Sequence, residues 1–210
     1  VIPNGIDVKS YRPFDKHAAR EHFSLPHDKK LILFGAKGAT SDRNKGFHLL
    51  EEAMRELNVG SWRDMIELVI FGSVEVGKIM DSGFTAHYVG WQHDDDSLAR
   101  LYSAADVFVL PSIQETLAYT VMESMACGTP CVAFNQGGVP DLINHEQNGF
   151  LALPYESDDL ARGIAWVLED TARRKDLSNH ARHKVKREFS LEMIAERHME
   201  LYREVLENGG

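Results

Sequence analysis

The chain has 210 residues, 43% of them hydrophobic and 26% charged, with a formal net charge of −9. This composition supports one sizeable core, and the negative balance argues against general binding to nucleic acid or anionic membranes. No apolar run approaches the ~18 residues of a membrane-spanning helix, and no signal-peptide pattern opens the sequence.

The chain opens on Val1 rather than Met and reads as a piece of a longer protein. Cys127 and Cys131 read as two small buried residues, since no further ligands stand at metal-site spacing. The ten His are scattered; His180 and His183 are one helical turn apart and read as part of a solvated face. No metal site is expected.

Val1–Asp7 (VIPNGID) carries turn formers and reads as a linker or strand end. A short helix is expected over Lys16–Phe23, ended by Leu25-Pro26. Lys30–Ala36 (KLILFGA) is a continuous apolar run that suits a strand buried on both faces. A loop rich in Gly, Ser, Thr and Asn follows, with Lys37, Arg43 and Lys45. Then Phe47, Leu49, Leu50, Ala53, Met54 and Leu57 mark a helix with one apolar face. Strand, basic loop and helix are the layout of an anion site at a helix N-terminus. A solvated loop with incidental basic residues fits the stretch as well, and the spacing is not that of a Walker P-loop.

Ile66–Phe71 is the second expected strand, Val74–Met80 a short helix and His87–Gly90 the third strand. In the loop Trp91–Asp96, the run Asp94-Asp95-Asp96 caps the helix Leu98–Ala105; a metal site of three adjacent Asp is the weaker alternative. Val107–Leu110 is the fourth strand. The helix Leu117–Ala126 ends at Gly128, and Cys131–Phe134 is the fifth strand. Gly137-Gly138 turn the chain, Asp141–Asn144 begins a short helical piece, and Phe150–Leu153 is the sixth strand. After Asp158 only helices are expected. One carries Leu160, Ile164, Val167 and Leu168; the others are Thr171–Glu188 and Leu191–Glu207, the last capped by Ser190. Alternating strands and helices predict an α/β fold, a doubly wound parallel sheet of about six strands. The whole chain, 1–210, forms one domain, with a linker region at 1–15 and a helical tail at 171–210.

Glu115 and Glu123 lie eight residues apart, one in the loop after the fourth strand and one inside the next helix. Open α/β sheets bind ligands at the carboxyl ends of their strands. A nucleotide-sugar would need what this edge offers. A carboxylate accepts hydrogen bonds from both vicinal hydroxyls of a ribose, and Glu123 suits that role. Lys45, with Arg43, supplies charge where a diphosphate leaving group gains it. The N–H groups of Ala118 and Tyr119 suit the same phosphates. Glu115 suits sugar hydroxyls, and Gly90 to Gln92 edge the base. Glutamates at this spacing also occur on solvated helices; the buried strand before them and the basic loop elsewhere favour the functional reading.

At these residues the sequence resembles the retaining nucleotide-sugar glycosyltransferases of the large GT-B family that includes sucrose-phosphate synthases and bacterial mannosyltransferases. The family pattern is Pro-Ser, then Glu, seven residues, Glu, then Ala-Met-Ala-x-Gly-x-Pro-Val and Gly-Gly-x-Pro-Glu. This chain reads PSIQETLAYTVMESMACGTPCVAFNQGGVPD. IPNGID, RNKGFHLLEEA, LYSAADVFVLPS and NGFLA match further segments, so the resemblance covers essentially the whole chain.

The resemblance implies a Rossmann-like, donor-binding C-terminal half of a GT-B fold. It implies that Glu115 contacts the donor sugar, Glu123 the ribose and Lys45 the diphosphate, with Arg43 beside it. Asn44 and Ala36 stand where other members often have Arg. Thr116-Leu117-Ala118 replaces a Gly-containing turn, which keeps the backbone donors at Leu117 and Ala118 and crowds the sugar. The implied reaction moves a hexose from a nucleoside-diphosphate sugar to an acceptor hydroxyl with retention, without a cofactor or obligatory metal, in polysaccharide or glycoconjugate synthesis. The acceptor-binding N-terminal half is missing, so the fragment is expected to be inactive alone. A cytoplasmic location is expected, with any peripheral membrane contact made through the missing half. A nucleotide-sugar epimerase on the same scaffold and a non-catalytic nucleotide-binding module are the rival readings.

Overall fold

Each strand of the chain feeds two cores at once. The computed structural model describes residues 1–58, 62–73 and 82–208. Its strands are β1 (Lys30–Gly35), β2 (Ile66–Phe71), β3 (Ala86–Gly90), β4 (Val107–Leu110), β5 (Cys131–Phe134) and β6 (Gly149–Ala152). All pair in parallel, in the order β3-β2-β1-β4-β5-β6. Successive side chains of a strand point to opposite faces. Leu31 and Leu33 of β1 therefore join Phe108 and Leu110 of β4 and Cys131 and Ala133 of β5 on one face. Ile32, Phe34, Val107, Val109, Val132 and Phe134 fill the other. Burial on both faces is why these strands read as unbroken apolar runs.

The helices are α1 (Lys16–His22), α2 (Phe47–Leu57), α3 (Asp95–Ala104), α4 (Tyr119–Ala126), α5 (Val139–Leu142), α6 (Ser157–Glu169), α7 (Thr171–Glu188) and α8 (Leu191–Asn208). On one face, α3 contributes Leu101 and Tyr102, α4 contributes Val121, Met122 and Met125, and α7 contributes Ala181 and Val185. On the other, α2 brings Leu50 and Met54, and α6 brings Leu160, Ile164 and Val167. The tail is tied to the start of the chain: Ile6 N–H donates to Phe189 O at 2.8 Å, and Leu191 N–H to Ile6 O at 3.1 Å.

Several expected boundaries shift for visible reasons. The fourth helix begins at Tyr119, not Leu117, because Leu117 lies before the Ala118 cap and packs its side chain on the core. The sixth strand ends at Ala152, because the Leu153 N–H leaves the ladder for Asp159 Oδ2 at 2.7 Å. The short helix spans Val139–Leu142 rather than starting at Asp141, with Gly138 as cap and Pro140 in its first turn. The helix expected over Val74–Met80 lies outside the described residues.

The strand order reverses at β1, whose successors in sequence run outward on one side while β4 to β6 run outward on the other. The carboxyl ends of β1 and β4 therefore flank the topological switch point, the crevice where open α/β sheets take their ligands.

Candidate active site

At the carboxyl edge the loops are locked to one another by backbone. Gly46 has φ +72°, and a Cβ there would lie 1.8 Å from Pro111 O, so only glycine lets the β1–α2 loop sit this close to β4. Ile113 N–H donates to Asn44 O at 2.8 Å across the same contact. The next loop joins likewise. A Cβ on Gly137 would lie 1.8 Å from Glu115 O, and Gln136 Nε2 donates to Ser112 O at 2.8 Å. On the far side, Thr40 Oγ1 and Ser73 Oγ share a hydrogen bond of 2.8 Å, and Gly72 N–H donates to Gly90 O at 2.9 Å. The described parts of the loops after β1 to β5 thus form one continuous rim.

Three predicted residues stand on this rim without protein partners for their charges among the described residues. Lys45 closes a 3-10 turn, Arg43–Lys45, that Asp42 caps by accepting from Asn44 N–H at 2.9 Å. Its stem is half-buried, while Arg43 is exposed. Glu115 is half-buried, and its carbonyl accepts from Gly138 N–H at 3.3 Å. The Asn44–Ile113 hydrogen bond holds the Lys45 turn and the Glu115 loop side by side.

Glu123 is different. It lies inside α4, half-buried, and its Oε2 accepts from Tyr102 Oη at 2.7 Å. Tyr102 comes from α3 and is fully buried. Burial pushes the Glu123 carboxyl above its ordinary value; the Tyr102 and Tyr11 hydroxyls oppose this, and the charge of Asp95 adds to it. Tyr11 Oη donates in turn to Asp95 Oδ1 at 2.9 Å. Burial, then Glu123, push the Tyr102 phenol well above its ordinary value, so it stays a donor. A carboxylate so placed gains from any further donor, because added hydrogen bonds favour its ionised form.

Sequence reasoning missed Tyr102, Tyr11 and Asp95. Tyr102 lies among the apolar residues of its helix, and the aspartates read as a cap. Only Asp94 caps, accepting from Ser97 N–H at 2.8 Å. Asp96 pairs with Arg100 at 2.6 Å, and Asp95 holds Tyr11. Three different partners leave no shared metal site.

The remaining predicted residues divide. No side chain caps α4, whose cap residue is Ala118. The Tyr119 N–H, expected as a phosphate donor, instead donates to Leu117 O at 3.0 Å. Ala118, at φ −80° and ψ 85°, is the centre of that tight γ-like turn. Leu117 serves the core with its side chain. Gly90 ends β3 at φ +71° and faces open space, with nothing within 4 Å of where a Cβ would stand. Gln92 Nε2 donates back to Val89 O at 2.8 Å, which holds this side of the rim in place. Two clefts of about 680 and 360 Å³ open at the opposite, amino end of the sheet. They share no residue with the rim.

A switch-point rim of glycine-locked loops on a six-stranded parallel sheet defines a Rossmann-like α/β domain, whose carboxyl edge is where such sheets take their ligands. The chain belongs to the family Glycosyl transferases group 1, whose family model matches residues 15–184. It is 31% identical over 199 residues to the uncharacterized glycosyltransferase MJ1607 of Methanocaldococcus jannaschii, covering 91% of this chain and 49% of that protein. Among solved structures, sucrose-phosphate synthase from Thermosynechococcus elongatus superposes with a TM-score of 0.83 at 29% identity, covering 99% of this chain and 52% of that one. HepE of Anabaena, solved in complex with UDP-glucose, shares the fold with a TM-score of 0.81 at 23% identity, over 97% of this chain and 57% of that one. The chain spans about half the length of the MJ1607 protein and of the sucrose-phosphate synthase.

Proposed function

We propose that this chain is the donor-binding half of a retaining glycosyltransferase that moves a hexose from a nucleoside-diphosphate sugar to an acceptor hydroxyl, in polysaccharide or glycoconjugate synthesis. The observation that carries the reading is Glu123, a half-buried carboxylate held by the fully buried Tyr102 beneath the rim. A vicinal diol would complete its hydrogen bonding, and ribose presents one. Family membership and the UDP-glucose seen in HepE support the choice of ligand.

In this reading the diphosphate lies over the Lys45 turn and the uncapped start of α4. As the glycosidic bond to phosphate breaks, negative charge grows on the leaving oxygen. Lys45, with Arg43, meets that charge, and stabilisation of this kind is strongest in a site from which water is excluded. Glu115 accepts hydrogen bonds from the sugar hydroxyls and fixes the ring. The acceptor attacks from the face the leaving group departs, with the phosphate taking its proton, so configuration at the anomeric carbon is kept. The base lies along Gly90 to Gln92. The acceptor side is supplied by a domain outside these 210 residues, and the isolated chain binds donor while transferring little.

The test uses a longer protein carrying both halves, incubated with UDP-, GDP- and ADP-hexoses and candidate acceptors, with NMR of the anomeric product. Transfer with retention supports the reading. Inverted product would overturn the mechanism, and epimerised sugar formed from donor alone would favour an epimerase. Turnover by the 210-residue chain equal to that of the longer protein would refute the division of labour.

A further inference from the structure

A second cluster lies away from the rim, on α1. His17 and Glu21 are one turn apart, with His17 Nδ1 3.5 Å from Glu21 Oε1. His27 returns from the following turn to stack on His17, ring centroids 4.0 Å apart and planes at 24°. One ligand atom from each of the three residues lies within 4.8 Å of those of the other two.

The backbone beneath this cluster is fixed. Ser24, at φ 53°, reverses the chain after α1, and buried Leu25 anchors it, its N–H donating to Arg20 O at 2.9 Å. Arg20 is 4% exposed. Its Nη1 donates to the carbonyls of Pro26, His27 and Lys29 at 3.1, 3.2 and 3.0 Å. Its Nε and Nη2 are held from below by Ala104 O at 2.9 Å and Asp106 Oδ2 at 2.8 Å. One buried guanidinium thus sets the carbonyl of His27 relative to the helix that carries His17 and Glu21. The three exposed side chains need only rotate to converge.

We propose that His17, Glu21 and His27 bind a divalent transition metal, with zinc as the expected ion. Two imidazoles and a carboxylate are a zinc ligand set that leaves a fourth, tetrahedral position to water, and imidazole favours zinc, copper and nickel over magnesium or calcium. The site lies at the amino end of the sheet, through Arg20 and Asp106, and stands apart from Lys45, Glu115 and Glu123. A bound ion clips the 24–29 turn to α1 and takes no part in transfer.

Calorimetric titration of zinc chloride into the chelator-stripped 210-residue chain tests this, with cobalt absorption as a second readout. The expected result is one ion per chain and intense visible bands from four-coordinate cobalt. Affinity falls by roughly tenfold or more in His17→Ala and His27→Ala, since even outer-shell losses at metal sites cost about 10–100-fold. The control His180→Ala/His183→Ala keeps wild-type affinity, and nucleotide binding is unchanged in the α1 variants. All three ligands are exposed, and circular dichroism verifies that the variants fold. Absence of stoichiometric binding, or binding untouched by His17→Ala and His27→Ala, overturns the proposal.

Discussion

The two ends of the sheet treat charge in opposite ways. At the amino end, Asp106 stands just before β4 and is only 5% exposed. It accepts from Arg20 Nη2, Lys16 Nζ and the Leu31 N–H, each at 2.8 Å, with Arg174 at 3.7 Å. Burial alone would raise its carboxyl, but Lys16, Arg174 and the Leu31 N–H hold it below its ordinary value. Burial pulls the Lys16 ammonium below its ordinary value too, despite Asp106, so the carboxylate is the main beneficiary of the contact. At the carboxyl end, Lys45, Arg43 and Glu115 have no such partners among the described residues, and burial raises the proton affinity of Glu123. Compensated charges hold the sheet together; uncompensated charges on a rigid rim are fit for a ligand.

The largest effect should come from breaking the compensated end. Asp106→Ala leaves the Arg20 guanidinium buried without its counter-charge, and such losses cost about 3–5 kcal/mol. Urea unfolding should show this, whereas Lys45→Ala should stay within about 0.5 kcal/mol of wild type. Equal losses for the two would erase the contrast between the ends. Gly137→Ala comes next. Its Cβ would meet Glu115 O at 1.8 Å, from a left-handed backbone at φ +56°. Strain of this kind costs about 1–3 kcal/mol, and it should displace the Glu115 loop and weaken nucleotide binding beyond the loss of stability.

The pH responses of the two ends also differ. Asp106 has a depressed pKa, so its contribution to stability is present above its ordinary 3.8 and is lost as pH falls through the lower folded value. Glu123 in the free protein is raised above its ordinary 4.5. Ribose donors favour its ionised form, so nucleotide affinity should fall as pH drops through that raised value. Glu123→Gln should flatten this component, leaving only the titration of the nucleotide phosphates common to both proteins. An unchanged profile in the variant would separate Glu123 from the ribose. The smallest effect is that of Lys45→Ala, a loss of nucleoside diphosphate affinity of about 1 kcal/mol that shrinks with added salt.

Much of this contrast was readable before any coordinates. Ile66–Phe71, Val107–Leu110, Cys131–Phe134 and Thr171–Glu188 match their expected ranges residue for residue. The three strands are apolar runs with turn formers close by, and two-sided burial leaves no polar alternation to blur their ends. Leu117 misled because an apolar loop residue that anchors in the core continues the helical pattern past the true cap. At the site, strand-end position pointed to the Lys45 and Glu115 loops, which the Asn44–Ile113 hydrogen bond holds side by side, while Glu123 lies inside α4. The support of Glu123 was not readable, because Tyr102 and Tyr11 reach it from distant elements and look like ordinary core and linker residues. Nor was the loss of the Tyr119 N–H, which depends on the local turn at Ala118. The convergence of His17 and His27 needed the reversal at Ser24 and the buried Arg20, neither of which announces itself in a spacing.

The proposed donor site turns on a ribose bound at Glu123. Calorimetric or NMR titration of the 210-residue chain with UDP, GDP and ADP, in wild type and Glu123→Ala, tests it most directly. A lost charged hydrogen-bonding partner is worth about 1.5–3 kcal/mol. The preferred nucleotide should therefore bind the variant roughly 10- to 100-fold more weakly, with the fold retained. Equal affinity in the two proteins would contradict it.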